Sequence, residues 1–136
     1  ECTEEEKTAM YEYGKHLGLA FQVVDDILDF TQSAEQLGKP QGQDLATGNL
    51  TAPVLYALED KAVGKRLRQL VQGKFKTEGS LEEALGLVEQ GGGIVRARQL
   101  ARDEADIALS QLDILPESPS KDSMVAMVDY VLERLY

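Results

Sequence analysis

The chain has 136 residues, 43% of them hydrophobic and 28% charged, with 24 acids against 14 bases and a formal net charge of −10. That length and apolar content suffice for one ordinary globular domain with a core, while the acidic balance excludes a nucleic-acid surface, which needs clustered Lys and Arg. The single cysteine, Cys2, and the single histidine, His16, exclude an internal disulfide, a cysteine zinc site and a multi-histidine metal site.

Apolar residues recur at helical spacing almost throughout, so the expected fold class is all-α. The first helix is predicted over residues 3–33, with Met10, Tyr13, Leu17, Phe21, Val24 and Leu28 on its apolar face. Thr3 and Glu6 have capping-box spacing at its start. Residues 37–49 read as a loop, because Gly38, Pro40, Gly42 and Gly48 suit sharp turns and close backbone approaches. A helix follows over 51–59, with Pro53 in its first turn, and others over 61–73, 80–90, 93–113 and 119–135. Gly91, Gly92 and Gly93 mark one helix end and a fresh start. The helix over 93–113 carries a stripe of mostly small residues, Ile94, Ala97, Ala101, Ala105, Ala108 and Leu112, continued by Leu115. Ser118 and Pro119 form an N-cap and first position for the last helix, whose Met124, Val128, Val131 and Leu135 line one face. Met127 is expected in the core beside Met124. Arg102 is expected to pair with Asp106 at i,i+4, Arg134 near the C-terminus is not assigned to the diphosphate, and His16 reads as a packed or surface side chain. No apolar run reaches the roughly 18 residues of a membrane span.

The chemistry concentrates at the end of the first helix, where Asp25, Asp26 and Asp29 sit among Phe21, Val24 and Leu28. With 3.6 residues per turn, Asp29 lies about 40° and Gln22 roughly 60° from Asp25, so these three share one face with Asp26 at its margin. Asp25 and Asp29 repel as an i,i+4 like-charge pair, and acids beside apolar side chains are costly unless a cation compensates. Mg²⁺ does this, through one or two carboxylates plus substrate phosphates. In so acidic a chain, D-D-x-x-D also arises as a solvated helix face. The following loop tilts the reading toward a metal-bridged diphosphate: Lys39 offers a point charge for phosphate, Gly38 and Gly42 permit close approach, and Asp44 adds a carboxylate.

These residues also carry a family resemblance. The pattern Y-G-x-x-L-G-x-A-F-Q-x-x-D-D-x-L-D, from Tyr13 to Asp29, resembles the second aspartate-rich motif of trans-polyprenyl diphosphate synthases. L-G-K-P-x-G-x-D-L, from Leu37 to Leu45, continues it, and G-N-L-T-A-P, from Gly48 to Pro53, is similar to the solanesyl-type plastid and cyanobacterial branch. The resemblance extends to the end of the chain.

It implies the C-terminal part of an isoprenoid-synthase helical bundle, within one synthase domain. The implied reaction is Mg²⁺-dependent prenyl transfer, in which an allylic diphosphate ionises and the double bond of isopentenyl diphosphate attacks. Asp25 is implied as a catalytic metal ligand, with Asp26 and Asp29 in the same acidic metal motif. Lys39 would contact the diphosphate and assist its departure, Phe21 and Gln22 would line the substrate cavity, and Asp44 would stand behind the ligands. Asn49 occupies a position where many family members have lysine. The family's first aspartate-rich motif has no counterpart in this chain, so the resemblance implies a longer synthase, a homodimer in its complete form. The location implied is a plastid, or the cytoplasm if the source is bacterial. Two other readings stay open: a non-catalytic synthase-like subunit that binds and modulates a full-length synthase, and a plain acidic helical module.

Overall fold

The computed structural model describes residues 2–38 and 40–136, and every regular element among them is a helix. Helix α1, Glu4–Thr31, opens on the capping box read from the sequence. The Glu6 N–H donates to the Thr3 hydroxyl at 3.1 Å, and the Thr3 N–H donates to the Glu6 carboxylate at 2.7 Å. These reciprocal bonds satisfy helix-start groups that have no intrahelical partner. Two short helices follow that hydrophobic spacing alone does not reveal: α2 at Ala34–Leu37, between the predicted first helix and the predicted loop, and α3 at Gln43–Ala46, inside that loop. Helix α2 has its own capping box between Ser33 and Gln36. The remaining helices fall close to the predicted bounds: α4 Ala52–Glu59, α5 Gly64–Gln72, α6 Ser80–Gln90, α7 Gly93–Gln111 and α8 Pro119–Glu133. A 3₁₀ turn, Leu112–Ile114, ends α7 more tightly than a continuous α-helix would. Ser118 caps α8, accepting from the Lys121 N–H at 3.1 Å, and Pro119 occupies the first turn as expected.

The chain divides into two compact units, and the dividing points fall inside α1 and α7. The first unit joins the residues up to Val24 with Gln99–Tyr136. Its buried residues are Ala9, Tyr13, Ala20, Val23 and Val24 of α1, Ala101, Ala105 and Ala108 of α7 with Leu112 beyond it, and Val128, Val131 and Leu135 toward the C-terminus. The small-residue stripe of α7 therefore does face inward. Two side chains tie α1 to its neighbours here. The Tyr13 hydroxyl donates to the Met124 carbonyl at 2.8 Å, and His16 sits between Glu12, 3.2 Å from Nε2, and Glu104 of α7, which Nδ1 meets.

Three expectations in this unit need correction. Met127 is 50% exposed, because it lies off the stripe that buries Val128, Val131 and Leu135. Phe21 is 43% exposed; Tyr13 and Val24 of the predicted face are buried, and at the level of Phe21 the buried positions are Ala20 and Val23. Arg102 turns to the hydroxyl and ring of Tyr136, not to Asp106.

The second unit is Asp25–Arg98. Helices α4, α5 and α6 pack on one another around Leu45, Val54, Ala57, Leu67, Leu70, Ala84 and Val88, with Phe30, Leu50 and Ile94 packed at the edge. Gly93 marks the closest approach: a Cβ there would stand 2.1 Å from the Pro53 carbonyl oxygen. No helix among the described residues is long and apolar enough to cross a membrane.

Candidate active site: the acidic end of helix α1

The last two turns of α1 place three carboxylates in the second unit at three different depths. Asp25 is half-buried, Asp26 is 8% exposed and Asp29 only 2% exposed. Ile27 and Leu28, between them in sequence, are buried, so the acids share their turns with core residues. The negative end of a helix is the unfavourable place for such charge, and the last turn of α1 holds no basic residue. The local charge therefore has to be balanced by side chains from elsewhere or by a bound cation.

The loop after α1 returns to these turns. The Gly42 N–H donates to the Asp29 carbonyl at 2.8 Å, and the Asp44 N–H donates to Asp29 Oδ2 at 3.1 Å. The Gln41 side-chain amide donates to the Phe30 carbonyl at 2.7 Å. Gly42 makes the return possible: its φ is +69°, and a Cβ there would stand 2.6 Å from Leu85 Cδ2. Asp44 is half-buried at the start of α3, where its carbonyl accepts from the Asn49 N–H at 2.8 Å and from the Thr47 hydroxyl at 3.0 Å. That backbone contact places Asn49 beside the acidic loop.

Of the residues singled out in the sequence, Asp25, Asp26, Asp29 and Asp44 all lie in the second unit, and Asp29 meets Asp44 directly. Phe21 and Gln22 occupy the preceding turn of α1, in the first unit, and both are exposed. The Phe21 ring carries the Arg134 guanidinium 4.9 Å from its centroid, a cation–π contact between α1 and the end of α8. Lys39 lies outside the described residues. Gln41 escaped the sequence reading, since nothing in its spacing tells that its amide reaches the end of α1.

Among the described residues, no set of three or more His, Cys, Asp or Glu side chains converges into a ready-made metal cage. A hydrated Mg²⁺ held by one or two carboxylates and completed by phosphate oxygens needs no such cage. Half-buried Asp25 is a carboxylate of that kind, so the residues present fit a hydrated divalent ion.

The polyprenyl synthetase family matches residues 1–88. Solanesyl diphosphate synthase 1, chloroplastic, of Arabidopsis thaliana is 58% identical over 126 residues, covering 93% of this chain and 30% of the relative. A prenyl transferase of Synechocystis is 54% identical over 127 residues, covering 93% of this chain and 38% of the relative. The chain thus spans about a third of the length of these curated relatives. The crystal structure of geranylgeranyl pyrophosphate synthase from Corynebacterium glutamicum, complexed with calcium and isoprenyl diphosphate, superposes with a TM-score of 0.85 at 34% identity. The match covers 98% of this chain and 41% of that one.

Proposed function

The chain belongs to the polyprenyl synthetase family, and from that membership we propose that it supplies the diphosphate-holding side of a Mg²⁺-dependent prenyltransferase. The substrates are isopentenyl diphosphate and an allylic prenyl diphosphate. The observation that carries the proposal is half-buried Asp25, set in a turn of core residues toward the negative end of α1, onto whose last turn the following loop is hydrogen-bonded through Asp29. The structural relative complexed with calcium and isoprenyl diphosphate supports a divalent ion and a diphosphate as joint ligands.

In the proposed reaction the C–O bond of the allylic diphosphate breaks and its electron pair leaves with the diphosphate. The double bond of isopentenyl diphosphate then attacks the allylic carbon, and loss of a proton restores an alkene. When bound, Mg²⁺ would neutralise the charge gathering on the departing diphosphate. Asp25 would hold the ion, with Asp26 beside it. Lys39 keeps its assigned diphosphate contact on the resemblance alone. Asn49, neutral where many family members carry lysine, would donate a hydrogen bond to phosphate without adding charge. Phe21 and Gln22, exposed on the turn before Asp25, would present an apolar surface and an amide to the substrate. The homodimer and a plastid location belong to the same proposal, the latter supported by the chloroplastic relative.

Titration calorimetry on the complete gene product tests this reading. Isopentenyl diphosphate or an allylic diphosphate should bind with Mg²⁺ present and lose most of that affinity on chelation. Asp25→Ala should show the weakened binding even with Mg²⁺. Equal binding with and without the ion, or an unaffected Asp25→Ala variant, would refute it.

A further inference from the structure

The three acids of the motif do not occupy equivalent places, and Asp29 is the most deeply buried of them. At the C-terminal end of α1 the final carbonyls have no intrahelical partner, and at the start of α3 the first N–H groups have none. Asp29 meets one group from each end: its main-chain carbonyl accepts from Gly42, and its carboxylate Oδ2 accepts from the Asp44 N–H. With Gln41 bonded to the Phe30 carbonyl, three hydrogen bonds bind residues 29–30 to residues 41–44. Asp29 is 2% exposed, and its Oδ2 is already engaged by the loop. Asp25 is half-buried one turn earlier.

We propose that Asp29 is a positioning residue that straps residues 41–44 to the end of α1, and that the ion is left to Asp25. Its carboxylate fixes the start of α3, and with it the place of Asp44 and of Asn49, whose N–H binds the Asp44 carbonyl. The consequence for catalysis rests on the proposed prenyltransferase reading; the strap itself does not. An asparagine at position 29 keeps an oxygen that accepts from the Asp44 N–H but removes the charge a metal ligand needs. Alanine removes both.

The test compares Asp29→Asn, Asp29→Ala and Asp25→Asn in the complete gene product, by amide hydrogen exchange of residues 42–46 and by the Mg²⁺ concentration that half-saturates turnover. Loss of a buried hydrogen bond to a charged acceptor should speed exchange at the Asp44 amide about 10-fold or more in Asp29→Ala. Asp29→Asn should stay within about threefold of the parent, since it keeps an acceptor. It should also turn over about 10-fold faster than Asp29→Ala, the difference expected from restoring that bond. Its Mg²⁺ half-saturation should not move as that of Asp25→Asn does. The proposal falls if Asp29→Ala leaves exchange unchanged, or if Asp29→Asn shifts Mg²⁺ half-saturation as far as Asp25→Asn. Absence of turnover in the parent protein would refute the functional reading alone, and the exchange comparison would still decide the strap.

Discussion

Asp25 and Asp29 are a single helical turn apart and both acidic, yet Asp25 is half-buried while Asp29 is buried and accepts from the Asp44 N–H. Spacing in the sequence placed them on one face of α1, because 3.6 residues per turn is fixed by the backbone. It could not separate their roles, because the Asp44 N–H that meets Asp29 arrives from 15 residues away along the chain. If Asp25 holds the ion that stabilises the leaving group, Asp25→Ala should slow turnover by about 10²–10³-fold, the scale of losing one electrostatic contact to developing charge. Its far-UV circular dichroism should match the parent, since alanine is the best helix former. Tyr13 supplies a prediction independent of catalysis. Burial pushes its phenol above the ordinary value, so the folded state favours the neutral form. The unfolded chain then releases the proton first, and stability should fall as pH rises past about 10. Chemical denaturation of Tyr13→Phe across that range should show a shallower alkaline loss. At neutral pH the variant should be weaker by about 0.5–1.5 kcal/mol, the usual net worth of a hydrogen bond such as that to the Met124 carbonyl.

The helices were legible wherever apolar spacing ran long enough to outweigh the turn residues. The bounds of α4, α6 and α7 follow from Pro53, the small-residue stripe and the glycines at 91–93, each with a mechanical reason to start or stop a helix. The short α2 and α3 were not legible from periodicity, since four residues cannot show a 3.6-residue repeat. The S-x-x-Q capping box at Ser33 was the available signal for α2. Phe21 and Met127 mark the reverse error, in which an apolar residue near a buried stripe points away from it. Close packing yields two predictions for the elements. Ala105→Leu adds bulk to a fully buried position of α7 and should cost about 1–3 kcal/mol in denaturant unfolding. Gly93→Ala sets a Cβ against backbone at the Pro53 carbonyl, which cannot swing aside as a side chain can, so its cost should also be at least about 1–3 kcal/mol. An unchanged midpoint for either variant would contradict the packing described.

At the scale of the whole molecule, composition excluded classes of function, and the family resemblance carried by the motifs implied one. The acidic balance, with Lys39 the notable base in an aspartate-bearing segment, fits a protein that meets phosphate through a metal better than one that meets it through a basic patch. The all-helical fold and the family were both readable, because the combined motif from Tyr13 to Pro53 constrains far more positions than D-D-x-x-D alone. The division into two units was not readable, because its dividing points fall inside continuous helices, where nothing in the sequence marks a break. The central claim is prenyl transfer, and its most direct measurement is the conversion of labelled isopentenyl diphosphate by the complete gene product. The assay supplies an allylic diphosphate and Mg²⁺, and follows the lengthened prenyl chain and the released diphosphate together. Both products should accumulate in equal amounts, stop on chelation of the ion, and nearly vanish in Asp25→Ala. No elongation by the parent protein under these conditions, or elongation only when a separate synthase is added, would contradict the claim and favour the non-catalytic subunit.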